Sequence, residues 1–138
     1  MKILSLLSLL LLLVFSHCGV KDSIDELFVD ISGNVSDNDQ PVEGALIILL
    51  NSPAITDGVS LSNGSITGAD GNYTIINAEE GDFYVVAVDD VNNNFEFDAG
   101  TDRFGFHGVH LTQLDLVPDQ ISVSTTDVEN IDITYLIN

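Results

Sequence analysis

Residues 31–50 read ISGNVSDNDQPVEGALIILL, from Ile31 to Leu50, and three local chemistries follow one another within that stretch. Its first part closes a run from Leu27 in which Val29, Ile31, Gly33 and Val35 alternate. A period of two places them on one face of a strand. Ser36 to Pro41 reads as a turn, because Asn and Asp tolerate left-handed backbone and Pro presets its own φ. Val42 to Leu50 is then nearly continuously apolar, as expected of a strand buried on both faces.

The same alternation of β-branched runs with Gly, Asn and Asp clusters continues to the end of the chain. Asp70-Gly71 marks a tight turn leading into Asn72–Ile75, and Gly81-Asp82 feeds the strand Phe83–Val88. Ile121–Thr125 and Val128–Leu136 both alternate cleanly, and they are expected to pair with each other as a hairpin. No stretch after Cys18 sustains the three-and-four apolar spacing of a helix. The expected fold class is therefore all-β, a single antiparallel β-sandwich of about seven to eight strands following an N-terminal signal peptide.

At the N-terminus, Lys2 precedes an apolar run from Ile3 to Phe15. A bilayer span needs roughly 20 apolar residues, so this shorter run is expected to be a cleaved secretory signal. Phe15-Ser16-His17-Cys18 follows, and it contains the only cysteine of the chain. It resembles a bacterial lipobox, from which Phe15 and His17 depart while Ser16 fits. The resemblance implies cleavage before Cys18 and acylation of its sulfur, palmitate included. Two or three acyl chains, at about 0.8 kcal/mol per buried methylene, would hold the protein stably at a membrane. With a lone cysteine no disulfide can form within the chain.

The resulting domain map is a lipoprotein signal at 1–17, a lipidated Cys18 with a short polar tether at 18–26, and a sandwich at 27–138 with an acidic insertion at about 89–119. The tether would reach roughly 15 to 20 Å, keeping the domain close to its membrane. The chain carries 3 Lys plus Arg against 22 Asp plus Glu, a formal charge of -19, and cleavage of a leader holding Lys2 makes it -20. Such a surface is repelled by phosphates, which sets nucleic acid aside as a partner.

Ser32, Gly33 and Val35; Pro41, Val42, Gly44 and Ala45; Asp70, Gly71 and Tyr73; Gly81, Tyr84 and Val86; and Asn130, Asp132 and Ile133 fall in an order that resembles the carboxypeptidase regulatory-like domain. That resemblance covers nearly all of the sandwich and implies a prealbumin-type, transthyretin-like β-sandwich. Its motifs are mostly structural, and the insertion is not part of the minimal domain.

The insertion contains Asp89-Asp90-Val91-Asn92-Asn93-Asn94-Phe95-Glu96-Phe97-Asp98-Ala99-Gly100-Thr101-Asp102. With Asp90 as position one, Asn92, Asn94, Glu96 and Asp98 occupy positions three, five, seven and nine, and Asp102 follows at thirteen. Calcium takes about six to eight oxygens at about 2.3 to 2.6 Å, and alternate positions of a curled loop can point oxygens inward. Two carboxylates about 5 Å apart repel by about 3 kcal/mol at an effective dielectric near 20. A divalent cation would turn that cost into binding energy. Asp90, Asn92, Asn94, Glu96, Asp98 and Asp102 are accordingly the expected Ca2+ ligands. The stretch resembles the Asp-x-Asn-x-Asn-x-x-x-Asp loops of extracellular bacterial β-domains, which carry Gly at position six. Phe95 stands there instead, and a different backbone path is expected at that point.

His107 and His110 are three apart, which on a strand aims their rings to opposite faces, so a shared metal is not expected. Phe95 and Phe97 would share one face and Phe104 and Phe106 another, pinning the insertion to the sandwich. The chain has no Gly-x-Ser-x-Gly elbow and no His-Glu-x-x-His pair, and no enzymatic activity is expected. Asn34, Asn63 and Asn72 fit the N-glycosylation pattern, which a bacterial envelope would leave unused. The sequence thus points to a non-catalytic lipoprotein of a bacterial cell envelope, at the outer membrane or cell surface. Its partners would be the membrane through its anchor and an envelope protein or glycan. The competing reading is a carbohydrate- or peptide-binding accessory lipoprotein of a transporter or hydrolase system.

Overall fold

The structure is a computed structural model, and it describes residues 29–61 and 64–138. The signal, Cys18, the tether through Glu26, the first two residues of the expected first strand and Asn63 lie outside the described residues. The strands are β1 (Val29–Asn34), β2 (Ser36–Asp37), β3 (Gln40–Pro41), β4 (Leu46–Leu50), β5 (Ser65–Ile66), β6 (Asn72–Ala78), β7 (Gly81–Asp89), β8 (Arg103–Phe106) and β9 (Gln120–Val123). One turn of 3-10 helix, Leu111–Gln113, is the single helical element among the described residues. No helix there is long and apolar enough to cross a membrane.

A five-stranded sheet runs in the order β5-β4-β7-β8, with β9 also paired to β7. β1 and β6 form a second, two-stranded sheet, and the protein is all-β and sandwich-like. β4 and β7 pair through Leu46–Leu50 and Tyr84–Val88, and their side chains alternate between two apolar clusters. Ile47, Val85 and Ala87 face inward to Val29, Ile31, Tyr73, Ile131 and Ile133. Leu46, Ile48, Val86 and Val88 face the other way, onto Leu61, Phe97, Phe106 and Val109. The insertion thus covers the outer face of the sheet, which is why β4 and the middle of β7 are apolar on both sides.

The turn at 36–41 is a two-residue hairpin in which Asn38 and Asp39 both have positive φ, 50° and 61°. That matches the primed turn whose twist suits paired strands. In β6, one extra residue intervenes between the Ile31–Ile75 and Val29–Ala78 pairs. The bulge is absorbed at Asn77, which has φ 55° and whose N–H donates to Asp30 Oδ1 at 3.1 Å.

The C-terminal segment departs from the expected hairpin. β9 pairs with β7 instead, and residues 128–133 run parallel to β1, bridging Ile31 to Val128 and Val35 to Ile133. The segment then crosses to β8, where Phe104 and Ile137 exchange both backbone hydrogen bonds at 2.7 and 2.8 Å. Alternation fixes which residues face inward but not which strand lies alongside, and here closing the gap between the two sheets takes precedence over local pairing. The crossing needs glycine twice. A Cβ on Gly33 would lie 2.1 Å from the Ile131 carbonyl oxygen, and one on Gly105 2.1 Å from that of Tyr135. Tyr73, buried, secures the segment by donating its O–H to the Ile131 carbonyl at 2.6 Å.

Candidate metal-binding loop

β7 ends at Asp89 and β8 begins at Arg103, so residues 90–102 form the connection between two hydrogen-bonded neighbours of one sheet. Arg103, the only Lys or Arg between residues 29 and 138, clamps this end of the sheet. Its Nη2 lies 2.6 Å from Asp89 Oδ2 and its Nη1 2.9 Å from Asp37 Oδ2, tying the 36–41 hairpin to the base of the loop. The hydrogen bonds to Asp89 raise the pKa of the guanidinium above its ordinary value.

Asp90 and Asp102 are buried. Asp90 Oδ2 accepts from the Phe95 N–H at 2.8 Å and its Oδ1 from the Asn94 N–H at 3.3 Å. Asp102 Oδ1 accepts from the Val91 N–H at 3.1 Å and Oδ2 from the Asp98 N–H at 2.8 Å. Both carboxylates therefore hold the backbone in its curl. A charged acceptor is the stronger partner for such N–H groups.

At the rim, Asn92 Oδ1 accepts from the Asn94 N–H at 3.1 Å and Asn94 Oδ1 from the Glu96 N–H at 2.9 Å. These are the side-chain turns expected of Asn in a loop. The amide nitrogens of Asn92 and Asn94 both donate to Asp98 Oδ2 at 2.7 Å. Asn92, Asn94 and Asp98 are thus gathered at one point. Glu96 is exposed and lies next to Ser60 in an isolated bridge. Asp102 is turned to the backbone. Among the described residues no three His, Cys, Asp or Glu side chains converge as a metal site.

Phe95 has φ 61°, the left-handed conformation that glycine supplies at the sharp turn of calcium loops, and its ring is about half exposed. Phe97 is buried instead, with its ring edge-on to Phe104 at 5.5 Å, and Phe104 meets Phe106 edge-on at 6.1 Å. Phe95 and Phe97 do not share a face because the backbone between them is not a strand. The remaining three rings pin the loop onto the outer cluster.

One acceptor lay beyond the reach of sequence reasoning. Asp57, distant in sequence, accepts from the Ala99 N–H at 2.9 Å. The 55–61 segment carrying it runs antiparallel to residues 95–97, with Gly58 N–H to Phe97 O at 2.7 Å and Phe97 N–H to Val59 O at 2.8 Å. Nothing local around Asp57 signals this pairing. His107 and His110 do not share a strand: His107 Nδ1 lies 2.9 Å from the Asp132 carbonyl, and His110 is exposed at the next loop.

No family model matches the chain, and no curated protein matches it. Among solved structures it is similar to a DUF3823 family protein from Parabacteroides merdae, with a TM-score of 0.40 and 13% identity over 78% of this chain. The chain spans less than half of that protein, 46% of its length.

Proposed function

We propose that the chain is a non-catalytic, lipid-anchored β-sandwich of a bacterial envelope whose 90–102 loop binds calcium and thereby fixes the working end of the domain. The observation that carries the calcium reading is the Asp90–Phe95 bond combined with the left-handed φ of Phe95. A bulky residue accepts a conformation that costs it about 1 kcal/mol at the position where calcium loops turn sharply. With the backbone so curled, Asn92, Asn94 and Asp98 already meet at one oxygen. Turning the two amides so that their oxygens join Asp98 would give up their bonds to the Asn94 and Glu96 N–H groups, a cost that ion binding has to exceed, and the exposed Glu96 is next to them in the loop.

The anchor rests on the Phe15–Cys18 stretch and its resemblance to a lipobox, and the carboxypeptidase regulatory-like motifs support a structural module. A resident calcium ion would supply charge neutralisation only, with no chemistry on a substrate.

The test is thermal unfolding of the purified chain in chelator, in millimolar calcium and in millimolar magnesium. Ligand at a hundred times its dissociation constant adds about 2.7 kcal/mol, a rise of several degrees in Tm for a domain of this size. The expected result is a calcium-selective rise that Asp98→Asn removes. An unchanged Tm in calcium would reduce the loop to a hydrogen-bonded acidic turn. For the anchor, Cys18→Ser should move the protein from the membrane to the soluble fraction, independently of the calcium result.

A further inference from the structure

Residues 110–117 form a second loop of different character. Its backbone is closed on itself: His110 and Asp115 exchange both hydrogen bonds at 2.8 and 3.2 Å, and the Leu114 N–H donates to Leu111 O at 3.2 Å. The side chains it presents are apolar and outside the core. Leu114 is 84% exposed, Val117 70%, Leu116 62% and Leu111 40%. Leu114 moreover has φ 57°, at a helix end where glycine or asparagine would sit without strain. Neither packing nor turn chemistry explains leucine there. Singly exposed apolar residues are ordinary on protein surfaces, but four within seven positions of one closed loop concentrate exposed apolar surface in the way that marks an interaction site.

The charge around the patch limits what can cover it. Asp115 and Asp119 flank it in sequence, and Asp37 and Asp39 lie across a cleft from His110 and Leu111. Arg103 pairs with Asp37 and Asp89, and among the described residues no further Lys or Arg offsets Asp39, Asp115 and Asp119. A second copy would bring the same carboxylates, and a phosphate-bearing lipid surface would be repelled likewise. The complementary surface is apolar at its centre and cationic at its rim.

We infer that the 110–117 loop docks a protein partner whose surface offers an apolar pocket bordered by Lys or Arg side chains. Leu114 and Leu116 enter the pocket, and Asp39 and Asp115 meet the basic rim. The closed backbone is already ordered, which limits the main-chain entropy lost on docking. The inference is independent of calcium binding by the 90–102 loop.

A benzophenone amino acid placed at Leu114 of the full chain, and at exposed Ile76 on β6 as control, is irradiated in the intact envelope of producing cells. The expected result is one discrete protein adduct from position 114 that is absent from position 76, with Lys or Arg in the cross-linked peptide. The captured protein, purified, is then titrated with the full chain. Its Kd should weaken at least tenfold on Leu114→Ser, and at least tenfold between about 50 and 500 mM salt. Circular dichroism should show that variant folded, since Leu114 contributes nothing to the core. Adducts to lipid, to a second copy or to the chain's own residues 1–28 would each overturn the proposal. So would the absence of any adduct, or a captured protein whose affinity ignores both the substitution and salt.

Discussion

Asp102 separates a brace from an ion ligand. Its side chain is fully buried, and both oxygens are committed to backbone N–H groups, those of Val91 and Asp98. Asparagine has the same shape but one acceptor. In Asp102→Asn one N–H keeps a weaker, neutral bond, and the other faces an amide NH2 that can only donate. Losing a charge-assisted bond costs about 1.5–3 kcal/mol, and a buried donor left without a partner costs about 1–3 kcal/mol in desolvation. The two costs overlap, so the expected loss is about 2–4 kcal/mol, with calcium absent throughout. Urea unfolding in chelator reads it directly, followed by far-ultraviolet circular dichroism because the chain has no tryptophan for fluorescence. Asp98→Asn should cost less than about 1 kcal/mol under the same conditions, since Asp98 accepts only from side-chain amides at the rim. A loss below about 0.5 kcal/mol for Asp102→Asn in chelator, with a large loss only in calcium, would refute the brace and return Asp102 to the set of ligands.

Further outcomes follow from the fold. Gly105→Ala would place a carbon 2.1 Å from the Tyr135 carbonyl oxygen, where contacts closer than about 3.3 Å are repulsive. Displacing the C-terminal segment weakens the Phe104–Ile137 pair and the Phe106 N–H bond to the Tyr135 hydroxyl, at about 2–3 kcal/mol in urea unfolding. Gly100→Ala, with nothing within 4 Å of the new carbon, should cost only about 1 kcal/mol for its left-handed φ. Tyr73 has its pKa raised, first by burial and then by Asp132, and burial also raises that of Tyr135. A raised folded-state value means these groups stabilise fully below the unfolded value of about 10 and lose that contribution as pH climbs toward the folded value. The urea midpoint should therefore fall above about pH 10, and Tyr73→Phe should cost about 1 kcal/mol at neutral pH and flatten that alkaline fall. Arg103→Met should cost about 1 kcal/mol at low ionic strength, because its ion pairs are partly exposed, and the difference should shrink in about 1 M salt.

Local chemistry made much of this protein legible. The period-two run at 29–35 and the runs at 72–75 and 83–88 became strands, and of the apolar run Val42–Leu50 only Leu46–Leu50 became a strand between two clusters, since the chain turns at Gly44 with φ 80°. Asn38-Asp39 and Asp70-Gly71 became turns, because positive φ is a property of the residue and its immediate neighbours. The spacing of Asn92, Asn94 and Asp98 placed three polar side chains on the inside of one curl for the same reason. The partner of each strand was not legible. Val128–Leu136 alternates as cleanly as a hairpin arm, yet it crosses from β1 to β8, because the space between two sheets is defined by residues about a hundred positions apart. Asp57 and Asp102 look like any other surface carboxylates in so acidic a chain. One caps a loop distant in sequence and the other lies fully buried, and only the packing of the insertion onto the sheet makes that difference. Sequence alone determined the class of the fold and the composition of its loops, since backbone preference and side-chain period are local. Tertiary structure decided which carboxylates face backbone, which face water, and which leucines are left without a core, since burial is a property of the whole chain.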